Sequence, residues 1–238
     1  MRRLALVLVF AACHQSAPPP TAGSGSVAKG PIESGALEDQ WILQFPNGAD
    51  DTSPLVVAMH GMGDTNFNFS RAFAGFPGKA ELLFPRGPLP SGDGFAWYPR
   101  SRDDDAQTTA IRAADATLWP AVMKHARGRP IIVTGFSQGA VMSYALAALH
   151  PTDIVHAFPV SGRLPAPLLP TTAAAPVTAF HGTADPVIPV DMDRETNAAF
   201  KTAGGSTEIR EYPGVEHHMM DMAPDVFAQI AAALPSPK

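Results

Sequence analysis

The stretch that decides the fold runs from Ile131 to Ala140 and reads IIVTGFSQGA. A buried-strand pattern at 131–134 leads into a G-x-S-x-G sequence centred on Ser137, and a helix-like run follows. A serine on a tight strand-to-helix turn needs glycine neighbours, because side chains there would keep the strand and the helix apart. The spacing predicts a nucleophile on a sharp turn. A glycine-rich loop without a chemical role is the alternative interpretation.

Apolar runs of strand length recur on both sides of this turn. They lie at 41–45, 55–59, 82–84, 131–134, 155–160, 177–180 and 207–212. Helix-like stretches lie between them at 106–126, 140–149, 191–203 and 224–233. This alternation predicts one α/β domain over residues 37–238, with a mostly parallel sheet and helices on both faces. The segment 162–176 is short and proline-rich, so we expect no lid domain.

A serine nucleophile needs an imidazole that accepts its proton and a carboxylate that orients the imidazole. Asp185 follows the predicted strand 177–180, and His217 follows the predicted strand 207–212. This is the chain order Ser, acid, His of the G-x-S-x-G folds. Asp185 could instead only cap the next helix. His218 competes with His217, but histidine three residues after glycine in a Tyr-x-Gly-x-x-His loop favours His217.

An oxyanion that forms at such a serine needs backbone N–H donors. The residue after the nucleophile, Gln138, is the first expected donor. Met62, in the loop after the central strand 55–59, is the second. His60 and His181 each end a strand, and we expect both to brace loops.

No metal site is expected. Three acidic residues, Asp103 to Asp105, form a cluster, and His217 is followed by His218, but neither group has zinc or calcium spacing. The acidic cluster is instead typical of a helix start, where negative charge complements the helix dipole.

Composition excludes some partners. The formal net charge is -5 and 16% of residues are charged, so no basic surface for nucleic acid or an anionic bilayer is expected. The oligomeric state stays open.

The N-terminus has the layout of an export signal over residues 1–12, with two arginines before an apolar run. Residues 10–13 resemble a bacterial lipobox, which predicts lipidation of Cys13 and a cell-envelope lipoprotein. Ordinary secretion and a cytosolic start-site artefact are the alternatives. Residues 13–36 are rich in Pro, Ser and Gly and are expected to form a tether. Membrane contact is expected only through the lipid.

Several motifs together resemble the phospholipase/carboxylesterase family of α/β-hydrolases, which includes acyl-protein thioesterases. They are HGMGDT (60–65), FPRGP (84–88), Trp97-Tyr98, GFSQGA (135–140), HGTADPVIP (181–189) and YPGVEH (212–217). The resemblance implies an α/β-hydrolase fold and hydrolysis of esters or thioesters through an acyl-enzyme without a cofactor. It also suggests that Trp97 lines the substrate pocket, with simple core packing as the alternative.

An exported member with an open cleft favours short-chain or accessible esters. Esters linked to polysaccharides, such as feruloyl or acetyl groups, and peptide bonds are alternatives on the same fold. A catalytically silent binding module is the alternative from another class.

Overall fold

The computed structural model describes residues 40–235 of the 238-residue chain. The predicted signal segment 1–12, the tether 13–36, the lipidation site Cys13 and the expected domain start at residue 37 lie outside these residues. They stay predictions. Within 40–235, no helix combines the length and the apolar character needed to cross a membrane.

Nine strands occur in residues 40–235. They are β1 (Ile42–Gln44), β2 (Leu55–Met59), β3 (Glu81–Phe84), β4 (Leu89–Ser91), β5 (Gly94–Ala96), β6 (Ile131–Phe136), β7 (Ile154–Val160), β8 (Val177–Gly182) and β9 (Thr207–Tyr212). Seven of them form one sheet with the order β1-β3-β2-β6-β7-β8-β9, and β4 and β5 form a separate hairpin. Only β1 is antiparallel to its neighbour in the large sheet.

Five α-helices occur in the described part. They are α1 (Asn66–Ala72), α2 (Asp104–Ala126), α3 (Gln138–Leu149), α4 (Val190–Thr202) and α5 (Ala223–Ala233). Single 3₁₀ turns occur at Pro46–Gly48, Ala166–Leu168 and Met219–Asp221. The segment between β7 and β8 holds one of these turns and no lid domain.

The core lies on both faces of the sheet, because successive strand residues point to opposite sides. In β2, Leu55, Val57 and Met59 pack in one apolar cluster with residues of α2, α3 and α4. Val56 and Ala58 pack in a second cluster with residues of α1 and α5. Helices therefore cover both faces, and the edge where the parallel strands end is the expected place for a ligand site.

The predicted mostly parallel sheet with helices on both faces is confirmed. α1 and the β4–β5 hairpin are the elements that the sequence patterns missed. Gly92-Asp93, between the two short strands, is a turn signal that could have predicted the hairpin. The acidic cluster begins α2 as expected: Asp103 accepts a hydrogen bond from the N–H of Ala106 at 2.8 Å and caps the helix.

Candidate active site

The sharp turn predicted at Ser137 is present at the end of β6. Ser137 has φ 55° and ψ -114°, and α3 begins at the next residue. Such a conformation costs about 1–3 kcal/mol for a residue with a side chain. A Cβ atom on Gly135 would lie 2.4 Å from the Gly139 carbonyl oxygen, and one on Gly139 would lie 2.0 Å from that of Met59. The close approach of strand and helix therefore requires both glycines.

His217 reaches Ser137 from the loop after β9. Its Nε2 atom lies 2.8 Å from Ser137 Oγ, and its Nδ1 atom lies 2.6 Å from Asp185 Oδ2. Because a carboxylate only accepts hydrogen bonds, Nδ1 carries the proton and Nε2 can accept the serine proton. The side chain of His218 is 65% exposed, with Nδ1 3.3 Å from Asp221 Oδ2. Of the two adjacent histidines, only His217 contacts Ser137.

Asp185 is held through both carboxylate oxygens. Oδ1 accepts the backbone N–H groups of Val187 at 2.8 Å and Ile188 at 2.9 Å, and Oδ2 faces His217. The alternative role as a helix cap does not occur, since the residue before α4 is Pro189 and no side chain caps that helix. The buried carboxylate is thus aimed at the imidazole.

The two predicted oxyanion donors line the same cavity as Ser137. Gln138 is the first residue of α3, so its N–H has no acceptor inside the helix. Within residues 40–235, neither this N–H nor that of Met62 bonds to another protein group. The loop that carries Met62 is tied to β5, because the N–H of Gly63 donates to the Phe95 carbonyl at 2.9 Å. Both N–H groups are thus left without a protein acceptor in the described residues.

Trp97 lies in the core and is absent from the cavity lining. Its indole N–H donates to the His60 carbonyl at 2.8 Å, and its side chain is buried. Its backbone N–H donates to Gln138 Oε1 at 2.8 Å, while Gln138 Nε2 donates to the Tyr98 carbonyl at 2.8 Å. The structure thus corrects the expectation for Trp97 in favour of core packing, because hydrogen bonds hold the indole beneath the site. The next residue, Tyr98, lines the cavity instead.

His60 braces two loops, as expected. Its Nδ1 lies 2.7 Å from the Gly61 carbonyl, and its Nε2 accepts the N–H of Gly87 at 3.0 Å. Burial lowers the pKa of His60, which agrees with a neutral ring that donates once and accepts once.

His181, at the end of β8, lies behind the Asp185 carboxylate. Its Nδ1 is 2.7 Å from Asp193 Oδ2, and its Nε2 is 2.8 Å from the Ile188 carbonyl. The Ile188 carbonyl can only accept, so Nε2 donates to it, and beside an ionised Asp193 the Nδ1 atom donates as well, which makes the ring positively charged. Burial alone would lower the pKa of His181, but the hydrogen bond to Asp193 and the charge of Asp193 outweigh it and raise the pKa. Its Nε2 also lies 3.4 Å from Asp185 Oδ2.

Ser137 opens into a cavity of about 500 Å³. One part of the lining is polar and comes mainly from one loop and the start of α2: Tyr98, Arg100, Ser101, Arg102, Gln107 and Arg163. Another part is apolar: Met62, Val141, Val187, Ile188, Pro189 and Met192. The three arginines were not found from sequence, since no motif marks them and only the fold brings their segments together.

The sheet order, the turn at Ser137 and the loops that carry Asp185 and His217 define the α/β-hydrolase class of fold. The crystal structure of esterase PE8 has the same fold, with a TM-score of 0.68 and 22% identity over 81% of this chain and 99% of that chain.

Sequence comparison identifies the family within this class of fold. The profile of the phospholipase/carboxylesterase family matches residues 44–223, and the chain belongs to this family. It is 25% identical over 209 residues to acyl-protein thioesterase 1 of Candida albicans, covering 74% of this chain and 89% of that protein. It is 33% identical over 94 residues to acyl-protein thioesterase 1 of Debaryomyces hansenii, covering 37% of this chain and 40% of that protein. The chain is an esterase-type hydrolase.

Proposed function

We propose that this chain hydrolyses carboxylic esters with Ser137 as nucleophile, His217 as general base and Asp185 as the acid that orients the base. The observation that carries the proposal is the unbroken chain of hydrogen bonds from Ser137 Oγ through His217 to Asp185, at 2.8 and 2.6 Å. A serine hydroxyl is a poor nucleophile at neutral pH. An imidazole that accepts its proton makes the serine oxygen more nucleophilic.

The reaction has two halves. Ser137 Oγ attacks the ester carbonyl while its proton moves to His217 Nε2, and the tetrahedral intermediate then expels the alcohol, which takes that proton. Water, deprotonated by His217, next attacks the acyl-enzyme, and the intermediate releases the acid and restores the serine hydroxyl. Asp185 stays ionised throughout and stabilises the imidazolium.

The negative oxygen of each intermediate binds the N–H groups of Met62 and Gln138. Support comes from the absence of a protein acceptor for either N–H within residues 40–235 and from their place in the lining of the same cavity. Each such donor contributes about 2.7–4 kcal/mol of transition-state stabilisation in serine hydrolases.

Short-chain or compact esters are the substrates that fit best. The cavity of about 500 Å³ lies in the lower half of the range of about 300–1,000 Å³ found for small-ligand sites. No lid in the described residues would cover a long acyl chain. Thioesters would react by the same steps with a thiol as leaving group, and two relatives are named acyl-protein thioesterases.

Export and lipidation at Cys13 belong to the same proposal and rest on the sequence alone. An envelope location would expose the enzyme to esters outside the cytoplasm. Incorporation of radiolabelled palmitate into the full chain, compared with Cys13→Ser, tests this part. Equal labelling of both proteins would reject lipidation at Cys13.

The test of the mechanism uses the full chain with p-nitrophenyl acetate, butyrate and palmitate, beside covalent labelling by a fluorophosphonate. The unchanged chain should prefer acetate or butyrate and take up the label. Ser137→Ala should lose both the turnover and the label. Full activity in Ser137→Ala would reject the mechanism.

Ser161 provides a matched control serine. It follows the neighbouring strand β7, has a φ of 52° like the 55° of Ser137, and is completely buried. Its Oγ has no hydrogen-bond partner in the described residues. Ser161→Ala should therefore keep both turnover and labelling, which separates loss of the nucleophile from disturbance of a strained turn.

A further inference from the structure

The cavity beside Ser137 carries a concentrated positive charge. Arg100, Arg102 and Arg163 line it, and no aspartate or glutamate among residues 40–235 does. The whole chain has a formal net charge of -5, so this concentration does not follow from composition. Cationic side chains along a cleft raise the local concentration of anions.

Arg163 is held by the start of α2. Its Nη2 atom donates to Asp104 Oδ1 at 2.9 Å and to Gln107 Oε1 at 2.8 Å. The hydrogen bond from Arg163 lowers the pKa of the Asp104 carboxyl, which keeps that carboxylate ionised. The charge of Arg163 is therefore already paired, and this residue forms a fixed polar edge of the cavity.

Arg100 and Arg102 are different, because both are exposed and neither has an ion pair or hydrogen bond within residues 40–235. Their loop is nevertheless anchored near the nucleophile. The side chain of Gln138 bonds to the backbone of both Trp97 and Tyr98 at 2.8 Å, two residues before Arg100. This anchored loop thus holds two unpaired cationic side chains in the cavity that contains Ser137.

The apolar part of the same lining limits what an anionic ligand can be. Met62, Val187 and Met192 are 43%, 58% and 42% exposed, so apolar surface is available next to the arginines. A ligand that contacts both parts has a short apolar section and an anionic end. A free inorganic anion would leave the apolar part uncovered.

We propose that the substrate of this site is an ester that also carries an anionic oxygen group, in the simplest case a carboxylate, which Arg100 and Arg102 bind. The assignment rests on the proposed esterase function. Guanidinium groups suit this role, since they are always charged and match a carboxylate with two parallel N–H donors. The anionic group lies on the acyl side or on the alcohol side of the scissile bond.

Two pairs of esters distinguish these sides with the full chain. Methyl hydrogen adipate against methyl hexanoate places the charge on the acyl side, and acetoxyacetate against propyl acetate places it on the alcohol side. The measured quantity is the ratio of kcat/KM for the anionic ester to that for its neutral partner. We expect this ratio to exceed one in at least one pair and to fall as salt is added, because the arginines are exposed.

The double variant Arg100→Gln/Arg102→Gln should lower the ratio by about tenfold, mainly through KM, since each lost charge-assisted bond at an exposed site has a modest effect. Arg112→Gln is the matched control. Arg112 is also an exposed arginine without a partner in residues 40–235, but it does not line the cavity, so its loss should leave the ratio unchanged. Arg100→Glu/Arg102→Glu should lower the ratio further.

Three outcomes would overturn the assignment. Turnover that depends on Ser137 but shows no anionic preference in either pair, and no change in the double variant, rejects the substrate class and leaves the esterase function intact. Turnover unaffected by Ser137→Ala rejects both proposals. Stimulation of neutral-ester hydrolysis by phosphatidylglycerol vesicles, lost in the double variant without any ester preference, would assign the arginines to a lipid surface instead.

Discussion

Two histidines contact the same carboxylate of Asp185, and only one of them can act as a base. His217 Nδ1 lies 2.6 Å from Asp185 Oδ2, and its side chain is 14% exposed. His181 Nε2 lies 3.4 Å from the same oxygen, and its side chain is fully buried.

The difference comes from the remaining partner of each ring. The second nitrogen of His217 faces the Ser137 hydroxyl, which can donate a proton. The Nδ1 atom of His181 faces the Asp193 carboxylate, and its Nε2 atom faces the Ile188 carbonyl. Neither partner offers a proton in the way that the serine hydroxyl does. An imidazole with two acceptors is held as a cation and has no lone pair for catalysis. Partners, more than burial or residue type, decide the role of a histidine here.

The largest expected effect is that of His217→Ala. Loss of the base should lower kcat for p-nitrophenyl butyrate by about 10⁶-fold, the size measured for the corresponding change in a serine protease. His218→Ala is the matched control and should retain the activity, because His218 points to Asp221 and solvent. An inactive His218→Ala enzyme beside an active His217→Ala enzyme would reverse the assignment.

Asp185→Asn should have the next largest effect. An amide in place of the carboxylate favours the wrong tautomer of His217, and kcat should fall by about 10⁴-fold, as for the same change in a serine protease. Circular dichroism of the variant checks that the fold is retained. A loss of less than tenfold would show that the position of His217 depends on other contacts.

His181→Gln should act mainly on stability. Asp193 would remain as a buried carboxylate that keeps only the donors Tyr144 and Asn197, and breaking a buried pair in this way costs about 3–5 kcal/mol. Activity should fall by less than in Asp185→Asn, because Val187 and Ile188 still hold Asp185. Urea unfolding and kcat measure the two effects.

The double variant His181→Gln/Asp193→Asn sharpens this prediction. It removes the uncompensated charge and should recover part of the lost free energy of unfolding. Additive losses in the two single variants would mean that the pair is not coupled, and a collapse of kcat with unchanged stability would place His181 in the chemistry.

The smallest expected effect is a pH dependence. The pKa of His181 is raised above its ordinary value of 6.5, despite burial, by Asp193 and more weakly by the Ile188 carbonyl and Asp185. The protonated ring therefore stabilises the folded state fully below the unfolded pKa, and this contribution is lost as pH rises through the folded pKa.

The difference in Tm between the unchanged chain and His181→Gln should accordingly be larger at about pH 6 than at about pH 9, by about 2–4 °C for each kcal/mol. Thermal unfolding followed by circular dichroism measures it. A difference that is independent of pH would mean that the ring of His181 is neutral in the folded protein.

Much of the fold and the triad candidates could be predicted from sequence because their signals are local. Apolar runs marked most strands, and the bounds of β2 and β9 agree with the prediction at both ends. The two glycines around Ser137 are required by the backbone itself. α1 was missed because a seven-residue helix with alternating polar residues has little periodic signal.

The sequence by itself thus indicated the order of strands and helices along the chain and the candidates Ser137, Asp185 and His217, since chain order and turn chemistry specify them. Only the tertiary structure decided that Trp97 is core, that His181 is buried between Asp193 and Ile188, and that arginines from separate segments line one cavity. These features depend on partners far apart in the chain, such as Trp97 and Gln138, 41 residues apart, or Asp104 and Arg163, 59 apart. No local sequence pattern indicates such contacts, because they form only when the helices pack on the sheet.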